Sequence, residues 1–234
     1  MNWSAGKIGT ISKGSARANG LSTPPIGCVL HLPGLPGGGS KIYDRSPYGN
    51  VGTITGATWT RLPSGLWVLS FDGTDDYITN ASPSGLNGNT ELSILMWVKL
   101  KTIGARQFFT IWGNRTYHQA ICFEIGAGDN WKFHLYDQGA VDTTIPTANT
   151  TDYVFLAGIY DKSNTIIYTN GAYRDSTGYS AANIVQGPFF MGALDATSLR
   201  VNGYIALFRI YNRALSALEI QNHFNREKHL FGVW

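Results

Sequence analysis

Residues 112–119, Trp112-Gly113-Asn114-Arg115-Thr116-Tyr117-His118-Gln119, gather more recognition chemistry than any other stretch of the chain. Saccharides present apolar C–H faces and hydroxyl edges, so an aromatic ring flanked by planar polar groups suits them. Trp112 or Tyr117 would supply the apolar face, and Asn114, Arg115 and His118 the hydrogen bonds. The same two rings would serve equally well as anchors tying this loop to the core, and both readings stay open. Tyr136, with Glu124, Lys132 and His134, extends the polar surface along the neighbouring hairpin.

A second group is acidic. Asp72, Asp75 and Asp76 lie in one glycine-flanked turn, where carboxylates ordinarily cap backbone N–H groups. Hard cations also seek carboxylates from adjacent loops, so Ca2+ is the ion to expect, with Asp44 as a further ligand. Nothing in the chain assembles a catalytic pair by spacing. Glycoside hydrolysis requires two carboxylates about 5–10 Å apart across the sugar, and Glu91, Glu124, Glu219 and Glu227 are isolated in sequence. The histidines, His31, His118, His134, His223 and His229, lack metal-binding spacing, and no Gly-x-Ser-x-Gly elbow is present. Asn114-Arg115-Thr116 and Asn149-Thr150-Thr151 match the glycosylation sequon, a pattern short enough to arise by chance.

The elements that position these residues are short strands. Leu92, Ile94, Met96, Val98 and Leu100 alternate with Ser93, Leu95, Trp97 and Lys99, which predicts a strand with one core face. The other face carries Leu95 and Trp97, so it is expected to be covered as well, making the strand central. A five-residue loop at 126–130 sets Ile125 opposite Trp131, Phe123 opposite Phe133 and Ile121 opposite Leu135. Glu124 then faces Lys132, Cys122 faces His134 and Ala120 faces Tyr136. One face of this hairpin is apolar and the other polar, and a one-residue slip would mix them. A second hairpin joins 153–160 to 165–170 through Asp161-Lys162-Ser163-Asn164, a turn with side-chain support. Further strands are expected at 28–32, 51–55, 58–62, 67–71 and 204–211. The last leads into Ser216-Ala217-Leu218-Glu219, a capping box, with Leu215 and Ile220 spaced as a hydrophobic staple.

That closing unit, G-x-I-x-x-F-R-I-Y-N-R-A-L-S-x-x-E-I, resembles the C-terminal signature of laminin-G-like, concanavalin-A-like lectin and glucanase jelly rolls. Three other stretches agree in order and spacing: Tyr43-Asp44-Arg45-Ser46 followed by Gly49-Asn50-Val51-Gly52-Thr53, Phe71-Asp72-Gly73-Thr74-Asp75-Asp76-Tyr77-Ile78, and Leu92 to Lys99. The resemblance covers residues 27–226 and implies an all-β antiparallel β-sandwich jelly roll with one short C-terminal helix. Many sandwiches of this kind bind one calcium, although some relatives carry Asp where this chain has Ala206. The Glu-x-Asp-x-x-Glu pattern of the laminarinase-like members is missing, so an enzyme ranks third among the readings. The fold hosts lectins, adhesion modules, virion proteins and hydrolases alike, so it does not name a ligand.

Composition agrees with one large β domain. Of 234 residues 43% are hydrophobic and 13% aromatic, with 28 glycines and 14% charged residues. The net charge of +3 comes from scattered Lys and Arg, which argues against a nucleic-acid groove, and no apolar run reaches the ~20 residues of a membrane span. Cys28 and Cys122 are expected as buried free thiols, with a disulfide as the alternative. Residues 1–26 are rich in Gly, Ser, Ala, Thr and Asn and read as a flexible or partner-bound arm, with 27–234 as the sandwich. No signal peptide is visible. An extracellular-type fold without one implies a trimmed chain, a cytosolic protein or a virus-particle component, and an extracellular or virion-surface location is expected. The function expected is therefore a non-catalytic recognition module that binds carbohydrate or a surface glycan. Its rival is a virion or assembly protein gripping capsid or other structural partners through the arm.

Overall fold

A computed structural model describes residues 26–34, 36, 39–88, 90–115, 119–126, 128–136, 138–142, 148–179 and 182–234, with 138–142 described by backbone alone. The expected N-terminal arm lies outside the described residues apart from Ile26. The chain forms two antiparallel eight-stranded sheets packed face to face. The first runs in the order β14 (Ala172–Gly178), β13 (Asn164–Thr169), β12 (Val154–Tyr160), β7 (Leu92–Leu100), β16 (Asn202–Tyr211), β5 (Trp67–Asp72), β4 (Thr58–Arg61). β1 (Cys28–Leu32) joins it beside the second half of β16. The second runs β11 (Gln138–Asp142), β10 (Trp131–Leu135), β9 (Ala120–Ile125), β8 (Gln107–Gly113), β15 (Phe189–Met191), β6 (Tyr77–Asn80), β3 (Gly52–Thr55), β2 (Lys41–Ile42). No helix among the described residues is long and apolar enough to cross a membrane.

Register follows the alternation of side chains. Phe123 pairs with Phe133, Glu124 with Lys132 and Cys122 with His134 across β9 and β10. Tyr136 N–H extends the ladder by donating to the Ala120 carbonyl at 2.8 Å. Across β12 and β13, Tyr160 pairs with Thr165, and Asp161 closes the turn by accepting from the N–H groups of Ser163 at 2.8 Å and Asn164 at 2.6 Å. β7 lies between β12 and β16, the central position its two apolar faces require. Leu92, Ile94, Met96, Val98 and Leu100 enter the inter-sheet core, while Leu95 and Trp97 enter a second apolar layer on the outside of the same sheet. Gly158 marks how closely the sheets approach, since a Cβ there would lie 2.2 Å from the Phe133 ring.

The outside layer exists because a helix covers it. α1 (Ala217–Glu227) begins at the capping box, with Ser216 accepting from Glu219 N–H and the Glu219 carboxylate accepting from Ser216 N–H. The staple residues Leu215 and Ile220 are both buried in that layer. A 3-10 turn, Lys228–Phe231, follows and stacks Phe231 on Trp97 with ring centroids 4.3 Å apart. Beneath the helix lies a buried polar cluster. Glu227 accepts from the Trp97 indole N–H at 2.9 Å and from the Arg209 guanidinium at 2.8 Å, with the His223 ring at 3.5 Å. His31, on β1 opposite Arg209, is 1% exposed, and neither of its ring nitrogens finds a partner among the described residues. The cysteines lie in different layers, Cys28 under the helix and Cys122 outside the second sheet; both are buried and they are not joined in a disulfide.

Acid should act on this cluster first. Burial, then the neighbouring Arg209 charge, pushes the His31 imidazole down from 6.5 to about 3. Burial alone would raise the Glu227 carboxyl, but Arg209 and His223 hold it below the ordinary carboxylate range. The unfolded chain therefore takes up protons at both sites at higher pH than the folded chain does. Stability is present above pH 6.5 and falls as acid is added, by about 1.4 kcal/mol per pH unit for His31 alone. Thermal melts between pH 7 and pH 4 should show this decline, and His31→Leu should flatten the portion above pH 4.5. An unchanged slope in the variant would assign the acid sensitivity elsewhere.

Candidate functional site

The outside of the second sheet offers a different surface. Strand alternation sends Phe109, Trp112, Ile121, Phe123, Ile125, Trp131, Phe133 and Leu135 into the core. The outward positions hold Phe108, Ile111, Ala120 and Cys122, an apolar patch on which Tyr136, Phe190, Leu194 and Leu199 pack. Leu194 and Leu199 belong to a strap, residues 193–200, that folds back across the sheet. The strap is fixed by backbone bonds from Val201 N–H to Gly192 and from Phe108 N–H to Leu199 at 2.8 and 3.0 Å. Leu199 adopts φ 51°, a left-handed conformation that costs energy in a residue with a Cβ and is held here by packing of the partly buried side chain on the outer patch.

At one end of this face, Arg106 grips Glu124 through two bonds of 2.7 and 3.2 Å, and His134 Nε2 lies 3.5 Å from the same carboxylate. Burial alone would raise the Glu124 carboxyl, but the neighbouring His134 ring and the Arg106 hydrogen bonds outweigh it and hold the group below its ordinary value. Glu124 and His134 are both buried, so this end is less open than a polar strand face suggests. The register sets Lys132 beside Glu124, and Arg106, the residue just before the neighbouring β8, grips the same carboxylate.

The other end is the rim formed where β8 leaves the sheet. Gly113 is required there, because a Cβ at its φ of 118° would lie 2.3 Å from the Gln119 carbonyl oxygen. Gly187 packs against the Gly113 and Asn114 backbone, with a built Cβ only 2.6 Å away. The base of the loop is thus held from two sides, and Asn114 Nδ2 donates to Gln119 Oε1 at 3.3 Å across it. Arg115 is exposed and forms an ion pair with Asp195 of the strap. Tyr136, half-buried, stands at the same end through its backbone bond to Ala120, which is itself paired with Gly113.

The structure thus brings Asn114, Arg115 and Tyr136 to one rim. Trp112 is corrected from sugar platform to core anchor: it is fully buried and meets the Phe189 ring edge-to-face at 6.1 Å. Tyr117 and His118, like Thr116, lie outside the described residues. Asp195 and Arg106 escaped sequence reasoning. The run Asp195-Ala196-Thr197-Ser198 does carry a legible turn signal, since such an Asp accepts from the N–H two residues on, but its partner Arg115 is 80 residues distant.

Three of the four acids expected around a cation do meet. Ligand atoms of Asp72, Asp75 and Asp76 all lie within 4.8 Å of one another. Asp76 is buried and accepts from Asp72 N–H at 2.8 Å, and its carboxyl is raised, first by burial and then by the neighbouring Asp72 and Asp75 charges. Asp44 is outside this group and otherwise engaged. Its carboxylate accepts from the N–H groups of His31, Ser46 and Asn50 at 2.7, 2.8 and 2.7 Å, and from the Ser46 hydroxyl at 2.6 Å. Asp44 organises the loop between β2 and β3. Asp44→Ala should therefore destabilise the protein by about 2 kcal/mol, read as a urea midpoint, and by the same amount in calcium or in EGTA. A loss seen only in calcium would make Asp44 a ligand after all.

Comparison with known proteins agrees with the architecture. A family model for the concanavalin A-like lectin/glucanases superfamily matches residues 72–221, while no curated protein sequence matches the chain. Among solved structures, the botulinum neurotoxin serotype G binding domain superposes with a TM-score of 0.68 at 14% identity, covering 86% of this chain and 51% of that one. Trypanosoma rangeli sialidase in complex with sialic acid gives 0.69 at 14% identity, covering 89% and 34%. Domain 4 of AbnA, a GH43 extracellular arabinanase from Geobacillus stearothermophilus in complex with arabinotriose, gives 0.64 at 19% identity, covering 83% and 97%. The chain thus spans about half of the toxin domain, a third of the sialidase and nearly all of the arabinanase domain. At these identities the likeness speaks to the fold.

Proposed function

Because the chain belongs to the concanavalin A-like lectin/glucanases superfamily, we propose that it is a non-catalytic saccharide-recognition module acting outside the cell or at a surface. The observation that carries this reading is the rim of the second sheet, where Asn114, Arg115 and Gln119 stand on a loop base fixed by Gly113 and Gly187, and Tyr136 pairs through its backbone with Ala120 at the same strand end. A half-buried aromatic ring, two side-chain amides and an exposed guanidinium match the apolar faces and hydroxyl edges of a sugar. Among the described residues, the apolar crevice lined by Leu32, Trp59, Leu69 and Phe208 holds about 10 Å³, far below the hundreds of Å³ of a small-molecule pocket. The proposal places recognition at the surface. Catalysis is not part of the proposal, because the clustered carboxylates share a single turn instead of flanking a cleft. Support from solved relatives is indirect: the arabinanase domain and the sialidase were each solved with a saccharide bound.

Single contacts of this kind contribute on the order of 1 kcal/mol, so affinity at one site should be weak and useful attachment should need several copies. A glycan array read with the protein displayed on beads should give binders, and Tyr136→Ala should weaken them about fivefold to tenfold with the melting temperature retained. Undiminished binding by the folded variant would move the site off the rim.

The reading also includes Ca2+ at Asp72, Asp75 and Asp76. Two exposed carboxylates and one buried one offer the oxygen donors a hard cation takes, and an ion would offset the burial and the neighbouring Asp72 and Asp75 charges that raise Asp76. Calcium at 1 mM should raise the melting temperature by a few degrees relative to EGTA, and Asp75→Asn should remove most of that rise. Equal melts in the two buffers would eliminate the ion.

A further inference from the structure

Arg115 and Asp195 meet across the rim, one from the loop after β8 and the other from the strap, and they are unequally committed. Asp195 Oδ1 accepts three bonds from its own turn, from Thr197 N–H at 2.7 Å, the Thr197 hydroxyl at 2.8 Å and the Ser198 hydroxyl at 3.0 Å. Only Oδ2 faces Arg115. Burial would raise this carboxyl, but those bonds, with Arg115 adding to them, hold it down at about 2. Asp195 is a fixed anion that its own turn would keep in place without the guanidinium.

Arg115 stands the other way round. A guanidinium presents five N–H donors in a planar fork and takes carboxylates best through two parallel bonds. Asp195 engages it through Nη1 alone, and the Arg115 side chain is 43% exposed. Exposed ion pairs of this kind contribute little to stability, so exchanging the carboxylate on Arg115 costs the fold little. The contrast lies on the same face, where Arg106 holds Glu124 through two bonds onto a carboxylate that is 4% exposed. Arg106 is committed to its carboxylate by two bonds, whereas among the described residues Asp195 takes only one edge of the Arg115 fork.

We infer that the saccharide taken at this rim is an acidic one, whose carboxylate docks on the Arg115 fork in exchange for Asp195. This rests on the saccharide-binding reading and narrows its ligand to uronic or sialic acid chemistry. Asp195 orients the guanidinium while the site is empty and competes for it when a ligand arrives. The strap keeps its seat during the exchange, because Leu194 and Leu199 remain packed on the sheet and the three own-turn bonds of Asp195 persist.

The test is an array of polyvalent uronic- and sialic-acid oligosaccharides, each printed beside its methyl ester, which keeps the shape and removes the charge, with neutral saccharides alongside. The free acids should bind about tenfold more tightly than their esters at 50 mM NaCl, with the gap narrowing at 300 mM as screening increases. Arg115→Gln should bring the acids down to the level of the esters, and Asp195→Asn should strengthen acid binding several-fold by removing the competitor. Arg115→Lys, which keeps the charge and loses the fork, gives a second measure and should forfeit most of the preference. Equal binding of acids and esters, with neutral saccharides bound, would overturn the acidic ligand and leave the saccharide reading standing. No binding to any saccharide by the folded protein would overturn both.

Discussion

The constraint on which the rest depends is that neither sheet has a polar outer face over its middle. Antiparallel sheets commonly leave one face to solvent, but here Leu95, Trp97, Ala157 and Ile159 crowd the outside of the first sheet, and Phe108, Ile111 and Cys122 the outside of the second. Each set must be shielded from water. α1 and the 3-10 turn shield the first, and the 193–200 strap shields the second. Where the covers end, the sandwich is open, and the rim at Gly113 is one such place.

Covering the first sheet brings charge into the interior. Glu227 at the end of α1 and Arg209 on β16 are both 3% exposed, and a buried ion pair is weak evidence for stability, since desolvation offsets much of the attraction. Its effect here is on position. The two Glu227 oxygens are divided among Trp97, Arg209 and His223, so only one placement of the helix satisfies them. The second sheet solves the same problem differently. Its strap is seated by two leucines and joined to the rim by one exposed ion pair, which leaves that edge open to a ligand.

Much of the sandwich was legible because period-two alternation and turn chemistry are local. The β7 pattern announced a strand covered on both sides, the β9–β10 register followed from keeping the apolar residues together, and Ser216 and Glu219 marked the start of α1. The strap was not legible, because 193–200 has no regular period and Leu194 and Leu199 find their packing partners only on the folded sheet. The same limit applies to the site. Asn114, Arg115 and Tyr136 could be named from residue type. Trp112 could not be sorted between platform and anchor until the bulge in β8 between Phe108 and Thr110 fixed which of its residues face inward. Asp44 looks like a metal ligand from its neighbours in sequence, yet its four donors come from backbone and hydroxyl groups that only the closed loop brings within reach.

The most direct measurement is an amide and side-chain NMR titration of the full chain with whichever saccharide binds most tightly. Recognition at the rim predicts that the largest shifts fall on Asn114, the Arg115 guanidinium, Gln119, Tyr136 and the strap around Asp195, with α1 and the Asp72–Asp76 turn nearly unmoved. Shifts concentrated on any other surface, with the rim silent at saturation, would contradict it.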